Sequence, residues 1–105
     1  MGIEGLSEEV LARIVELILK YKKPEKIVIF GSRAKSSFTK TSDIDIAIFA
    51  KEWLDRDFNI IRHELNERIK TPLKFDVLNF YGVEKAKLKE NILKEGKVIY
   101  DAGKD

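Results

Sequence analysis

Val10, Ile14, Leu17, Ile18 and Tyr21 recur at helical spacing, with Ser7 ahead of them as a cap and Glu8 and Glu9 in the first turn. Lys20, Lys22 and Lys23 suit the C-terminal end of that helix, and Pro24 stops it. Ile27-Val28-Ile29-Phe30 is a continuous apolar run with β-branched residues, which predicts a strand buried on both faces and ending at Gly31. From Ser32 to Ser42 the apolar side chains are Ala34 and Phe38 among Ser, Thr, Lys and Arg, the pattern of a loop with room for one helical turn. Asp43-Ile44-Asp45-Ile46-Ala47-Ile48-Phe49 then alternates with period two, placing Ile44, Ile46 and Ile48 on one strand face and both aspartates on the other. Phe58, Ile61, Leu65 and Ile69 predict a second helix that starts at Asp55 or Asp57 and has ended by Pro72. Phe75-Asp76-Val77-Leu78 reads as a third strand and 84–94 as a last helix with Gly96 as its C′ residue, leaving Val98-Ile99-Tyr100 for a small terminal strand. This order predicts an α/β (α+β) fold in which helices pack on a small mixed sheet.

Length and composition narrow the chemistry. The 105 residues suffice for one hydrophobic core, so a single domain over 1–105 is expected. Hydrophobic residues at 44% and charged residues at 36% describe a folding chain with a highly charged surface. The absence of cysteine excludes a disulfide framework, a thiolate zinc site and a cysteine nucleophile, and the lone His63 excludes a multi-histidine metal centre. A net charge of +2 gives no broad field for nucleic acid or an anionic membrane. No apolar run is long enough to span a bilayer, and Glu4, Glu8, Glu9 and Glu16 stand where a signal peptide would be basic and then apolar; a cytoplasmic location is expected. Abundant Lys and Glu with no Gln resemble a thermophile's composition.

Two acids on one face of an isoleucine-rich strand repel each other unless a cation lies between them. Asp43 and Asp45, about 6.5–7 Å apart at Cα in an extended strand, can converge on one divalent ion or bracket two. Asp76 is likewise an acid within an apolar strand, and a neighbouring strand would bring it to the same face. Carboxylate oxygens suit Mg²⁺, or Mn²⁺ in its place, and do not suit zinc. Gly31-Ser32 lies just past a buried strand, where a residue without a side chain lets backbone N–H groups approach phosphate oxygens, and Arg33, Lys35 and Lys40 add positive charge after it.

Phe30-Gly31-Ser32, ten intervening residues and then Asp43-Ile44-Asp45-Ile46 resembles the signature of the DNA polymerase β-like nucleotidyltransferase superfamily. The Gly-Ser-Arg-Ala wording and the short chain resemble its minimal branch, the MNT-type antitoxins that act beside HEPN-type toxins. Lys35-Ser36-Ser37 departs from the glycine that many relatives carry after Arg-Ala. The resemblance implies a minimal nucleotidyltransferase fold and an enzyme that transfers AMP from ATP to a hydroxyl of a partner protein, a protein adenylyltransferase acting as the antitoxin of a HEPN/MNT pair. It assigns Asp43, Asp45 and, as the candidate third acid, Asp76 as catalytic and metal-binding, with two Mg²⁺ ions, and Gly31 and Ser32 as nucleotide-binding, to which the positive charge of Arg33 adds a further nucleotide-binding candidate. A hydroxyl acceptor would come from a HEPN-type toxin or lie at a homo- or hetero-oligomer interface, since no second domain is expected to supply it. The alternative is a catalytically silent antitoxin that acts as a protein-binding module. Nucleic acid is not an expected partner, because no nucleic-acid motif accompanies the balanced charge. His63 lies off the apolar stripe and is expected at an exposed helix position, while Phe49 and Trp53 are expected in the core or at a partner contact.

Overall fold

A computed structural model of the chain describes residues 6–31, 43–71 and 73–103. Helix α1 (Glu8–Tyr21) begins where Ser7 accepts a 3.2 Å hydrogen bond from the Val10 N–H, and its buried face is Leu11, Ile14 and Ile18. Val10, Leu17 and Tyr21 flank that face, half-buried against the same core. Strand β1 (Lys26–Phe30) is buried from Ile27 to Phe30, as its unbroken apolar run predicts. Strand β2 (Ile44–Phe49) begins one residue after Asp43, which is exposed at its mouth. Helix α2 (Asp55–Arg68) buries Phe58, Ile61 and Leu65 and leads to strand β3 (Phe75–Asn79). A single 3-10 turn over Phe80–Gly82, absent from the apolar pattern, connects to helix α3 (Ala86–Glu95) and strand β4 (Lys97–Asp101).

The sheet order is β3-β2-β1-β4. β1 is antiparallel to both β2 and β4, whereas β2 and β3 run parallel, a pairing made by the α2 crossover. On one face, Ile27, Ile29, Ile44, Ile46, Ile48, Phe75 and Val77 pack under α1 and α2. Fully burying a side chain of this size contributes about 1.5–3 kcal/mol, so this face supplies most of the fold's driving force. The other face is a smaller cluster of Val28, Phe30, Ala47, Phe49 and Ile92, capped by α3.

The C-terminal end of α3 departs from the expectation, whereas α2 starts at Asp55, one of the two positions expected. Gly96 has φ −69°, so it is not a left-handed C′ glycine. It is required by proximity, because a Cβ there would stand 2.4 Å from both the Ile92 carbonyl oxygen and Val28 Cγ1. Asp57 lies in the first turn of α2 and is 2% exposed, its carboxylate accepting from Tyr21 Oη at 2.5 Å, the Leu54 N–H at 2.7 Å and Lys22 Nζ at 3.1 Å. These bonds tie the start of α2 to the end of α1 and hold the Asp57 carboxyl at about 2, with Tyr21 the largest cause, then Leu54, then Lys22.

Candidate active site

Strand register gathers the acids. Asp45 pairs with Phe30 across the antiparallel ladder and with Asp76 across the parallel one, so the two carboxylates occupy the same level of adjacent strands. Ile44, Ile46, Phe75 and Val77 all enter the larger core, which leaves Asp45 and Asp76 together on the opposite face. β1 ends at this same level in Gly31, whose φ is +81°. A Cβ on Gly31 would stand 2.6 Å from Asp45 Oδ2. The glycine is therefore needed twice, for a left-handed backbone and for the close approach of the carboxylate.

Asp45 is half-buried, and its carboxyl is pushed above the usual carboxylate range by burial first, then by the charges of Asp76 and Asp43. Asp45 thus feels both neighbouring acids at the mouth of β2, an arrangement that a cation would stabilise. An all-carboxylate donor set fits Mg²⁺ or Mn²⁺. Among the described residues, however, no three acidic or histidine side chains are already gathered closely enough to hold a metal ion. Asp76 has partners of its own: its Oδ1 accepts the Val77 N–H at 3.0 Å and lies 3.4 Å from Arg62 Nε.

Arg62 is the residue that the sequence pattern did not single out. It stands on α2 beside the apolar stripe, where its Nη2 donates to the Val77 carbonyl at 2.6 Å and its Nη1 to Asn59 Oδ1 at 2.7 Å. One turn on, Asn66 accepts from the Phe75 N–H at 2.8 Å and donates to the Phe75 carbonyl at 3.0 Å. Their spacing on one helix face was visible, but which strand edge they meet was not. Ser32 and Arg33 lie outside the described residues. His63 is exposed on α2, as expected, and Trp53 is buried against Tyr21 and Phe58. Phe49 stacks on Phe80 at 4.2 Å in the smaller core cluster, at the other end of β2 from the acids. A groove between α1 and α2, lined in part by Leu17, Tyr21 and Ile60, lies on the opposite side of the sheet from Asp45 and holds none of the three acids.

Residues 12–105 match the family described as Polymerase beta, Nucleotidyltransferase. The chain belongs to this family. It has the minimal nucleotidyltransferase fold, its described residues forming three α-helices, one 3-10 turn and a four-stranded mixed sheet. A relative from Methanocaldococcus jannaschii, which carries the provisional name protein adenylyltransferase MJ0604, is 34% identical over 91 residues, or 77% of this chain and 84% of the relative. A chain of a toxin–antitoxin crystal structure with AMP-PNP superposes with a TM-score of 0.69 at 26% identity, covering 88% of this chain and 73% of that one. A chain of the complex between a tri-AMPylated Shewanella oneidensis HEPN toxin and its MNT antitoxin shares the fold, with a TM-score of 0.66 at 24% identity over 95% of this chain and 76% of that one. No helix among the described residues is long and apolar enough to cross a membrane.

Proposed function

We propose that the chain is a divalent-metal-dependent adenylyltransferase that moves AMP from ATP to a hydroxyl of a partner protein, the partner being a HEPN-type toxin. The observation that carries this reading is the half-buried Asp45, held between Gly31 and Asp76 with its carboxyl pushed up by burial and by two neighbouring acids. That charge arrangement calls for a cation, and through it a polyanionic ligand would be held beside the acids. The provisional name of the archaeal relative supports protein as the acceptor class, and the likeness to a toxin–antitoxin chain crystallised with AMP-PNP supports ATP as the donor.

Asp43, Asp45 and Asp76 would hold the divalent ions, which supply charge neutralisation on the phosphates and acidify the attacking hydroxyl. Gly31, followed by Ser32 and Arg33, seats the triphosphate by backbone N–H, hydroxyl and guanidinium donors. The acceptor oxygen forms a bond to the α-phosphorus as the bond to the bridging oxygen of the β-phosphate breaks, and pyrophosphate leaves. The hydroxyl proton passes to a carboxylate of the cluster, and the greater exposure of Asp76 than of Asp45 supports Asp76 as the acceptor.

Incubation with a HEPN-type toxin that forms a complex with the chain, Mg²⁺ and ATP should add one or more AMP masses to the toxin, read by intact mass spectrometry after removal of the adenylyltransferase. Asp45→Asn should abolish the added mass while complex formation persists. A toxin neutralised without any mass change, equally by wild type and by Asp45→Asn, would replace this reading with that of a silent binding module.

A further inference from the structure

The contact that Asp76 makes on the side away from Asp45 is itself built into the fold. Arg62 reaches Asp76 from α2, and its other nitrogens are fastened to the Val77 carbonyl and to Asn59, so the guanidinium is held in place independently of the carboxylate. Asp76 Oδ1 is shared between Arg62 Nε and the Val77 N–H, while across the ladder its nearest register partner is another acid, Asp45. Like charges directly opposite on neighbouring strands destabilise a sheet, and a fixed cation on the outer side of one of them offsets the repulsion. The side chains of this pair are 37% and 68% exposed, so the attraction is weak enough to be exchanged.

We propose that Arg62 is a positioning residue that serves as the resting counter-ion of the third carboxylate, pairing with Asp76 at the edge of the site until a divalent cation takes its place. The inference rests on the reading of Asp43, Asp45 and Asp76 as the metal-binding acids. It adds that metal binding at the third acid is an exchange of one cation for another, so that the guanidinium sets how readily the site fills. Asn66 makes the separation testable, because it grips Phe75 on the same strand edge without touching Asp76.

The test measures Mn²⁺ affinity of the full chain by electron paramagnetic resonance, with no nucleotide or partner present. Exposed ion pairs contribute little, so Arg62→Gln should tighten Mn²⁺ binding by about two- to fivefold. On an Asp76→Asn background the same Arg62→Gln change should produce no shift, and Asn66→Ala should lower the melting temperature without changing Mn²⁺ affinity. An unchanged or weakened affinity in Arg62→Gln overturns the proposal. So does an equal tightening with and without Asp76→Asn, which would mark a general charge effect, or a matching shift in Asn66→Ala, which would mark the strand edge. If wild type binds no Mn²⁺, or binds it as well with Asp43→Asn and Asp45→Asn, the metal site itself is misassigned and the inference falls with it.

Discussion

At the scale of single residues, Gly31 and Asp45 form one unit. The +81° φ of Gly31 disfavours any side chain by about 1–2 kcal/mol, and a methyl group there would also collide with Asp45 Oδ2 at 2.6 Å. Gly31→Ala should therefore destabilise the fold and displace the carboxylate, weakening Mg·ATP binding in calorimetry at least as much as Asp45→Asn does. Adding Asp45→Ala to Gly31→Ala removes the collision but not the backbone cost. Thermal melts should then show the two changes to be less than additive, and strict additivity would mean that the glycine and the acid do not meet.

At the scale of elements, the α1–α2 junction depends on a buried acid rather than on apolar contact alone. Asp57 is stabilised as the carboxylate by Tyr21, the Leu54 N–H and Lys22, with its pKa held at about 2, against about 4 in an unfolded chain. A depressed carboxyl pKa contributes stability that is complete above the unfolded value and is lost as pH falls through the folded one. Urea midpoints of wild type should exceed those of Asp57→Asn near neutral pH, and the difference should shrink as pH falls from about 4 to about 2. A gap that stays constant across that window would show that the charge of Asp57 contributes nothing. The same junction explains why the start of α2 was ambiguous in the sequence. Asp55 and Asp57 both look like helix-starting acids, and only the position of Tyr21 and Lys22 selects Asp57 as the buried one.

At the scale of the whole molecule, the sheet has an edge at β3 that could pair with another chain, and α2 blocks it. Asn66 satisfies both backbone groups of Phe75, Arg62 takes the Val77 carbonyl, and the Asp76 carboxylate takes the Val77 N–H. Side chains that occupy outward N–H and C=O groups remove the template for edge-to-edge association. Asn66→Ala should speed hydrogen exchange of the Phe75 amide by at least about tenfold and raise the tendency to aggregate on warming. Unchanged exchange at Phe75 would mean that the edge is protected by something other than α2.

The sequence by itself determined the order and kind of nearly every element, because each carries its own period: two in 43–49, helical in the stretches around Ile14 and Ile61, and an unbroken apolar run at 27–30. It also picked out Gly31, Asp43, Asp45 and Asp76 as residues whose types are costly in strands unless a ligand is served. Local pattern ends there, since periodicity says which face a side chain takes and not which strand lies beside it. Only the tertiary structure decided that β2 and β3 run parallel in a register placing Asp45 opposite Asp76, that Gly31 abuts Asp45, and that Arg62 stands behind Asp76. Those pairings join residues far apart in the chain, and they are fixed by the packing of α2 against the sheet, where burial of Phe58, Ile61 and Leu65 sets the strand that Arg62 and Asn66 must meet. The function class was therefore written in residue types and spacing, while the electrostatic balance of the site depends on contacts that exist only once the chain has folded.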